Sequence, residues 1–151
     1  MERIERVAVI GAGIMGTGIA ASIFKYGFEV RLFDVNKDIL RNSCELLRKR
    51  ARRSQDPEKI VLTETLKEAV EGADLIIEAI IENLETKCGF YAELGKTAPS
   101  SAVFASNTSS LSISEMAESS GRPGKFLGLH FFNPPVLMRL VEVTVTGELE
   151  D

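Results

Sequence analysis

Two groups of residues in this sequence have the types and spacing for chemistry. The first is Gly11-Ala12-Gly13-Ile14-Met15-Gly16, a G-x-G-x-x-G run between a β-branched stretch and a helical pattern. That context is what the pattern needs to bind a dinucleotide. Gly11 permits a tight turn, Gly13 lets a pyrophosphate approach the backbone, and Gly16 allows close helix–strand packing. The free N–H groups of the helix start, at Ile14 and Met15, then face phosphates. A glycine-rich strand-to-helix turn can also exist without a ligand. Asp34 argues against that plainer reading. It ends the next strand, 18 residues after Gly16, where an acid accepts hydrogen bonds from a ribose 2′-hydroxyl. An acid there repels a 2′-phosphate, and no basic residue directly follows it, so the pattern reads as NAD and not NADP.

The second group lies in the last quarter. His130 is the single histidine of the chain. A lone histidine is usually surface filler or a satisfied core residue. This one ends an expected strand, at the edge where open α/β sheets bind ligands. It precedes the stiff turn Phe131-Phe132-Asn133-Pro134-Pro135. Glu142 follows 12 residues on, in the next expected strand. An antiparallel pair would bring the two together. The carboxylate would fix the imidazole tautomer and leave the other ring nitrogen free as a base. Without such pairing, Glu142 is an exposed alternating position. The polar loop Ser106-Asn107-Thr108-Ser109-Ser110 follows a strand at the same edge. It could bind a ligand or serve turn and cap chemistry, and Ser110 and Ser112 fit the latter.

The elements that must position these groups follow from the pattern. Arg6 to Ile10, Glu29 to Phe33, Ile60 to Leu62, Asp74 to Ile80, Ala102 to Ala105, Lys125 to His130 and Arg139 to Val145 read as strands. Helices are expected from Ile14 to Tyr26, from Asn36 to about Arg53, after the capping boxes Thr65-x-x-Glu68 and Ser112-x-x-Glu115, and through Leu84, Cys88 and Tyr91. Strands alternating with helices imply an α/β fold, a Rossmann-type doubly wound and mostly parallel sheet. The link from Phe131 to Met138 is too short for a crossover helix, so the last two strands should pair antiparallel.

The composition fits one domain of 151 residues with a formal charge of −4 and 44% hydrophobic residues. The mild acidity disfavours nucleic-acid binding. Cys44 and Cys88 are too few for a disulfide framework, which suggests a reducing, cytoplasmic setting. No apolar run is long enough for a membrane span, and no metal-ligand cluster is evident. Glu2, Glu5 and interrupting glycines spoil a signal-peptide reading of the start.

The segments GAGIMGTGIA, DLIIEAIIENLETK, FASNTSSLSI and GLHFFNPPVLMRLVEV together resemble the NAD-binding domain of the 3-hydroxyacyl-CoA dehydrogenases, including 3-hydroxybutyryl-CoA dehydrogenases. The resemblance covers nearly the whole chain. It implies oxidation of L-3-hydroxyacyl-CoA to 3-ketoacyl-CoA, a step of fatty-acid metabolism. His130 would be the base and Glu142 its orienting carboxylate. Ser109 would hydrogen-bond the substrate oxygen, and Asn133 would lie near the nicotinamide. Glu82 and Lys87 match the ENL-x-x-K segment lining the cofactor cleft, with Ala79 and Asn107 beside it.

Members of that family continue into a helical C-terminal domain, which closes over the acyl chain and makes the dimer. The resemblance therefore implies that residues 1–151 are a cofactor domain with a half-built substrate site, needing such a domain as partner. The segment between Asp34 and Asp74 is also shorter than the family's. Its basic run Arg48-Lys49-Arg50-Ala51-Arg52-Arg53 would either meet CoA phosphates or form a solvated helix face. The apolar stretch from Phe131 to Leu140 should be exposed and drive self-association. Two alternatives stay open: an NAD(H)-binding or sensing module without turnover, and a dehydrogenase of a free hydroxy acid such as gulonate.

Overall fold

The computed structural model describes residues 3–51 and 57–150. Seven strands form one sheet. They are β1 (Arg6–Ile10), β2 (Glu29–Phe33), β3 (Ile60–Leu62), β4 (Leu75–Glu78), β5 (Val103–Ser106), β6 (Phe126–Phe131) and β7 (Val141–Val145), in the order β3-β2-β1-β4-β5-β6-β7. Every neighbouring pair is parallel except β6 and β7, which run antiparallel. The expected architecture therefore holds, including the reversal at the end. Strand order reverses between β1 and β4, which opens a crevice at their carboxyl ends.

Alternate residues of the central strands feed two cores, as burial on both faces requires. Val7, Val9, Val30 and Leu32 pack with Ile19 of α1 (Ile14–Lys25) and Leu47 of α2 (Lys37–Ala51). Ala8, Ile10, Ile76 and Phe104 pack on the other face. Their helical partners include Tyr91 and Leu94 of α4 (Leu84–Thr97) and Met116 of α5 (Ile113–Ser119). Tyr91, Phe104 and Phe126 meet edge-on or tilted at the centre of this layer.

The short helix α3 (Leu66–Val70) starts where its cap dictates. Thr65 Oγ1 accepts the Glu68 N–H at 3.2 Å, and the Glu68 carboxylate reaches back to the Glu64 N–H instead of that of Thr65. Asn36 Oδ1 accepts the N–H groups of Asp38 and Ile39, which opens α2. Ser112 caps α5. Asn83 caps α4, which the sequence pattern did not reveal.

β4 is shorter than expected at both ends, and side chains are the cause. The Asp74 carboxylate takes the N–H groups of Glu5 and Arg6, each at 2.8 Å. The Glu78 carboxylate takes the N–H of Ile80 at 2.8 Å, turning the chain out of the ladder.

Gly16 supplies the tightest packing constraint. A Cβ built there would lie 1.7 Å from the carbonyl oxygen of Gly11. Gly16→Ala must force the helix off the sheet, at an expected cost of about 3 kcal/mol in urea unfolding. Wild-type stability would contradict this contact.

Acid should also loosen the amino edge of the sheet. The Arg6 and Glu5 backbone N–H groups hold the Asp74 carboxyl below its ordinary value, against the effect of burial. The Arg6 side chain does the same for Glu29. Both carboxyls prefer their charged form in the fold. Their stabilisation is present above the unfolded value of about 4 and is lost as pH falls through the lower folded values. Asp74→Asn should therefore flatten stability against pH below about 5. An unchanged slope would count against the assignment.

Candidate functional site

A cleft of about 1060 Å³ runs along the carboxyl edge of the sheet. Its wall begins at the glycine loop. Gly11 has a φ of 99°, and a Cβ there would strike the Ala79 carbonyl at 2.5 Å. Gly11 and Gly16 are thus needed by the protein itself. Gly13 is not, since a Cβ there would meet nothing within 4 Å. The open space belongs to the cleft, which Gly13, Ile14 and Met15 line.

Gly13 is the N-cap of α1 and offers no side chain to cap it. The first turn carries no acidic residue, and the first intrahelical bond is the Thr17 N–H to the Gly13 carbonyl. The N–H groups before it, with the positive end of the helix dipole, suit an anion. Ser43 and Thr17 pin the loop from behind. The Ser43 hydroxyl reaches the Ala12 carbonyl at 2.6 Å, and the Thr17 hydroxyl reaches the same carbonyl at 2.9 Å.

Asp34 closes the loop's other side. Its Oδ2 accepts the Ala12 N–H and its Oδ1 the Asn36 N–H, both at 2.7 Å. Each oxygen keeps a further acceptor site, and the side chain lines the cleft. The carboxylate is therefore held rigidly with capacity for a vicinal diol.

Across the cleft, β6 and β7 set His130 directly opposite Glu142. His130 Nδ1 and Glu142 Oε2 are 2.8 Å apart. With Nδ1 carrying the proton donated to the carboxylate, Nε2 is left as the basic nitrogen. The Phe132 ring lies against the imidazole, with centroids 4.6 Å apart. His130, Asn133, Ser109 and Asn107 all line the cleft, while Glu142 lies outside its lining. Asn107 also ties the walls together, its Oδ1 accepting the Phe131 N–H at 2.9 Å.

The floor between these walls is polar and buried. Glu78, the last residue of β4, is fully buried, as is Lys87 on α4. Lys87 Nζ lies 2.7 Å from Glu78 Oε1 and 3.2 Å from Glu82 Oε2. Glu78 Oε2 takes the hydroxyls of Ser106 at 2.7 Å and Tyr91 at 3.3 Å. Burial and the Glu78 charge push the Tyr91 phenol well above its ordinary value, so it stays a donor. Glu82 Oε1 accepts the Thr108 hydroxyl and the Ser109 N–H. Burial disfavours the Glu82 carboxylate, but the Thr108 hydroxyl and the Lys87 charge outweigh it and hold its pKa low.

One expected position is corrected here. Lys87 does not line the cleft. It sits beneath the wall, its ammonium held between the buried Glu78 carboxylate and the cleft-lining Glu82 carboxylate. Gly16 likewise serves packing, and Ala79 and Glu82 form wall. Sequence reasoning missed the wall residues Leu66, Thr86 and Phe90. It also missed Glu78, placed Tyr91 only on an apolar helix face, and named Ser106 only as part of the polar loop. A signal for Glu78 existed, since an acid inside the apolar run DLIIEAI must find a buried partner.

Comparison with known proteins agrees with this geometry. The family model for the NAD-binding domain of 3-hydroxyacyl-CoA dehydrogenase matches residues 6–150. The chain belongs to this family. A probable 3-hydroxybutyryl-CoA dehydrogenase of Bacillus subtilis is 40% identical over 152 residues, covering 93% of this chain and 53% of that protein. The mitochondrial hydroxyacyl-coenzyme A dehydrogenase of Sus scrofa is 40% identical over 160 residues, covering 95% and 51%. The crystal structure of 3-hydroxybutyryl-CoA dehydrogenase from Escherichia coli K12 superposes with a TM-score of 0.87 at 31% identity, over 98% of this chain and 34% of that one.

This 3-hydroxyacyl-CoA dehydrogenase domain thus spans about half the length of the curated relatives it matches. NAD is its cofactor. The residues present fit it. The uncapped start of α1 suits the pyrophosphate, the space at Gly13 admits it, and Asp34 suits the adenosine ribose.

The contrast between two glycines makes this testable. Gly13→Ala should unfold like the wild type, because no protein atom opposes the methyl group, yet weaken NADH at least about tenfold by filling the pyrophosphate's space. NADH fluorescence titration reads it. Undiminished affinity in the folded variant would refute the placement.

Proposed function

We propose that the domain serves the oxidation of L-3-hydroxyacyl-CoA thioesters to 3-ketoacyl-CoA, in fatty-acid metabolism, with His130 and Glu142 as the catalytic pair. The observation that carries the reading is the 2.8 Å bond between them on the same cleft as the glycine loop. Bound NAD⁺ supplies the hydride acceptor. His130 Nε2 takes the proton of the substrate's 3-hydroxyl, and Glu142 stabilises the imidazolium that results. In the reverse direction the same nitrogen returns the proton to the developing alkoxide. Ser109 and Asn133 stand on the same wall, suited to hydrogen-bonding the reacting oxygen and orienting the carboxamide of the cofactor. Cys44 and Cys88 are free thiols, which fits a cytoplasmic setting. Among the described residues no helix is long and apolar enough to cross a membrane.

The acyl-CoA pocket needs protein beyond this cleft. The relatives are about twice as long, and an apolar patch adjoins the site. It is narrower than the sequence suggested. Pro135 is buried against Gly18, and Phe131 and Val136 pack into the core beneath α1. Leu137, Leu140 and Val143 stay exposed. We assign this patch to a region equivalent to the second half of the relatives, in cis or in trans, or to self-association. Arg48 and Lys49 are exposed on α2, on the segment proposed to meet CoA phosphates. The side chains of Arg50, Arg52 and Arg53 lie outside the described residues.

NADH formation from a 3-hydroxyacyl-CoA, measured with the complementing second half of a relative, tests the reading. His130→Ala should lower kcat about 10²–10⁴-fold, with NADH affinity within about twofold of wild type. Full activity of His130→Ala would defeat the assignment. Turnover of a free hydroxy acid but not its thioester would shift the substrate class. NADH binding with no turnover of either would favour a sensing module.

A further inference from the structure

The buried charges under the cleft are arranged for more than stability. Both carboxylate oxygens of Glu78 are hydrogen-bonded, with the single Tyr91 O–H shared between Glu78 and the Ala105 carbonyl. Oε1 holds Lys87 Nζ at 2.7 Å and the Ile80 N–H at 2.8 Å, and Oε2 holds the Ser106 and Tyr91 hydroxyls. Lys87 has no exposed surface, yet it also reaches Glu82, whose side chain is 43% exposed. Glu82 spends its other oxygen on the Thr108 hydroxyl and the Ser109 N–H. Lys87 further lies 3.5 Å from the Asn107 carbonyl, and Asn107 in turn holds the Phe131 N–H, next to His130. One buried ammonium thus links a fully buried carboxylate to a partly exposed one at the rim. The rim carboxylate bonds the Ser109 loop directly.

The geometry points to Glu78 and Lys87 as a positioning pair, which acts through Glu82 and Asn107 to place Ser109 and the His130 strand without touching cofactor or substrate. The inference rests on the proposed roles of Ser109 and His130 but not on the identity of the substrate. A pair of opposite charges that only filled the core would need one partner each. Here the cation is shared between two carboxylates, and the second of them faces the cleft. With Glu78 in place, Lys87 cannot follow Glu82 outward. Glu82 is therefore tethered inward, with Oε1 turned toward residues 108 and 109.

A double variant separates this role from plain stability. Lys87→Met leaves a buried, unpaired Glu78 and should lower the melting temperature sharply. Adding Glu78→Gln removes that unpaired charge and should recover most of the loss. Positioning makes a further demand, since neither variant restores the tether on Glu82. In the double variant, amide hydrogen exchange at Ser109 should be at least about tenfold faster than in the wild type. NADH affinity should fall about tenfold.

Glu82→Ala cuts the chain at its exposed end and leaves Glu78 and Lys87 paired. It should give the same fast exchange at Ser109 with little change in melting temperature. Wild-type exchange at Ser109 in either the double variant or Glu82→Ala would overturn the proposal. Failure of the wild type to bind NADH would instead strike the cofactor reading, while the exchange data would still decide the positioning role.

Discussion

The rest of the site depends on how closely α1 approaches the carboxyl end of β1. A gap of 1.7 Å between a Gly16 Cβ and the Gly11 carbonyl is not a gap at all. Only hydrogen fits there. That approach aims the start of α1 at the crevice between β1 and β4, and it places Gly13 at the surface of the cleft. It also brings Gly11 against the Ala79 carbonyl, so the first and fourth strands end in mutual contact. The Ala79 N–H then reaches the Ile10 carbonyl at 2.7 Å. A larger residue at either glycine would move the glycine-loop backbone and the wall opposite it together. Binding competence and folding are therefore coupled at Gly11 and Gly16, and uncoupled at Gly13.

The floor poses a different energetic problem. Taking a carboxylate and an ammonium out of water costs several kcal/mol per ion, and their attraction repays this only with full hydrogen bonding. Glu78 meets that condition with four partners. Against an apolar pair of the same size, the net stabilisation is then close to zero. The fold gains little by keeping these charges, and two cores packed with Ile, Val, Leu and Phe already hold the sheet. What charges do, and apolar groups do not, is fix direction. Lys87 has donors that must point at Glu78, Glu82 and Asn107, so helix α4 and the loop after β5 are set relative to β4 by bond geometry rather than by contact alone.

Much of this was legible in the sequence, for a physical reason. A parallel strand buried on both faces must be an apolar run, so RVAVI announces its own limits, EVRLF does so by its alternation, and Asn36, Thr65 and Ser112 are caps by side-chain chemistry. Gly11, Gly13, Gly16 and Asp34 were legible because each does a local job within one βαβ unit. Strand ends were less so. Asp74 leaves the ladder through a carboxylate that binds backbone across elements, and no local pattern encodes a partner 68 residues away. The depth of Lys87 was hidden for the same reason. ENLETK reads as an exposed helix start, and only the tertiary position of Glu78 draws the ammonium inward.

The antiparallel turn at the end of an otherwise parallel sheet answers a geometric need. Parallel strands present their carboxyl ends at one edge, and each can deliver a loop there. Parallel neighbours can also bring side chains together there, as Glu78 of β4 and Ser106 of β5 do. What reversing β7 adds is a partner for the outer edge of β6 over a short connection. His130 stands at the edge as β6 arrives, and Glu142 stands opposite as β7 departs. The connection is short, since residues 132–140 contain Pro134 and Pro135 and pack down through Pro135 onto Gly18. The hairpin is thereby anchored on α1, the helix whose start lines the cleft. The cost is an outermost strand whose five residues are all exposed. Its apolar side chains, Val141, Val143 and Val145, flank Glu142. This exposed apolar surface thus lies beside the His130–Glu142 pair, so a region packing there would exclude water from His130 and bury the strand in the same step.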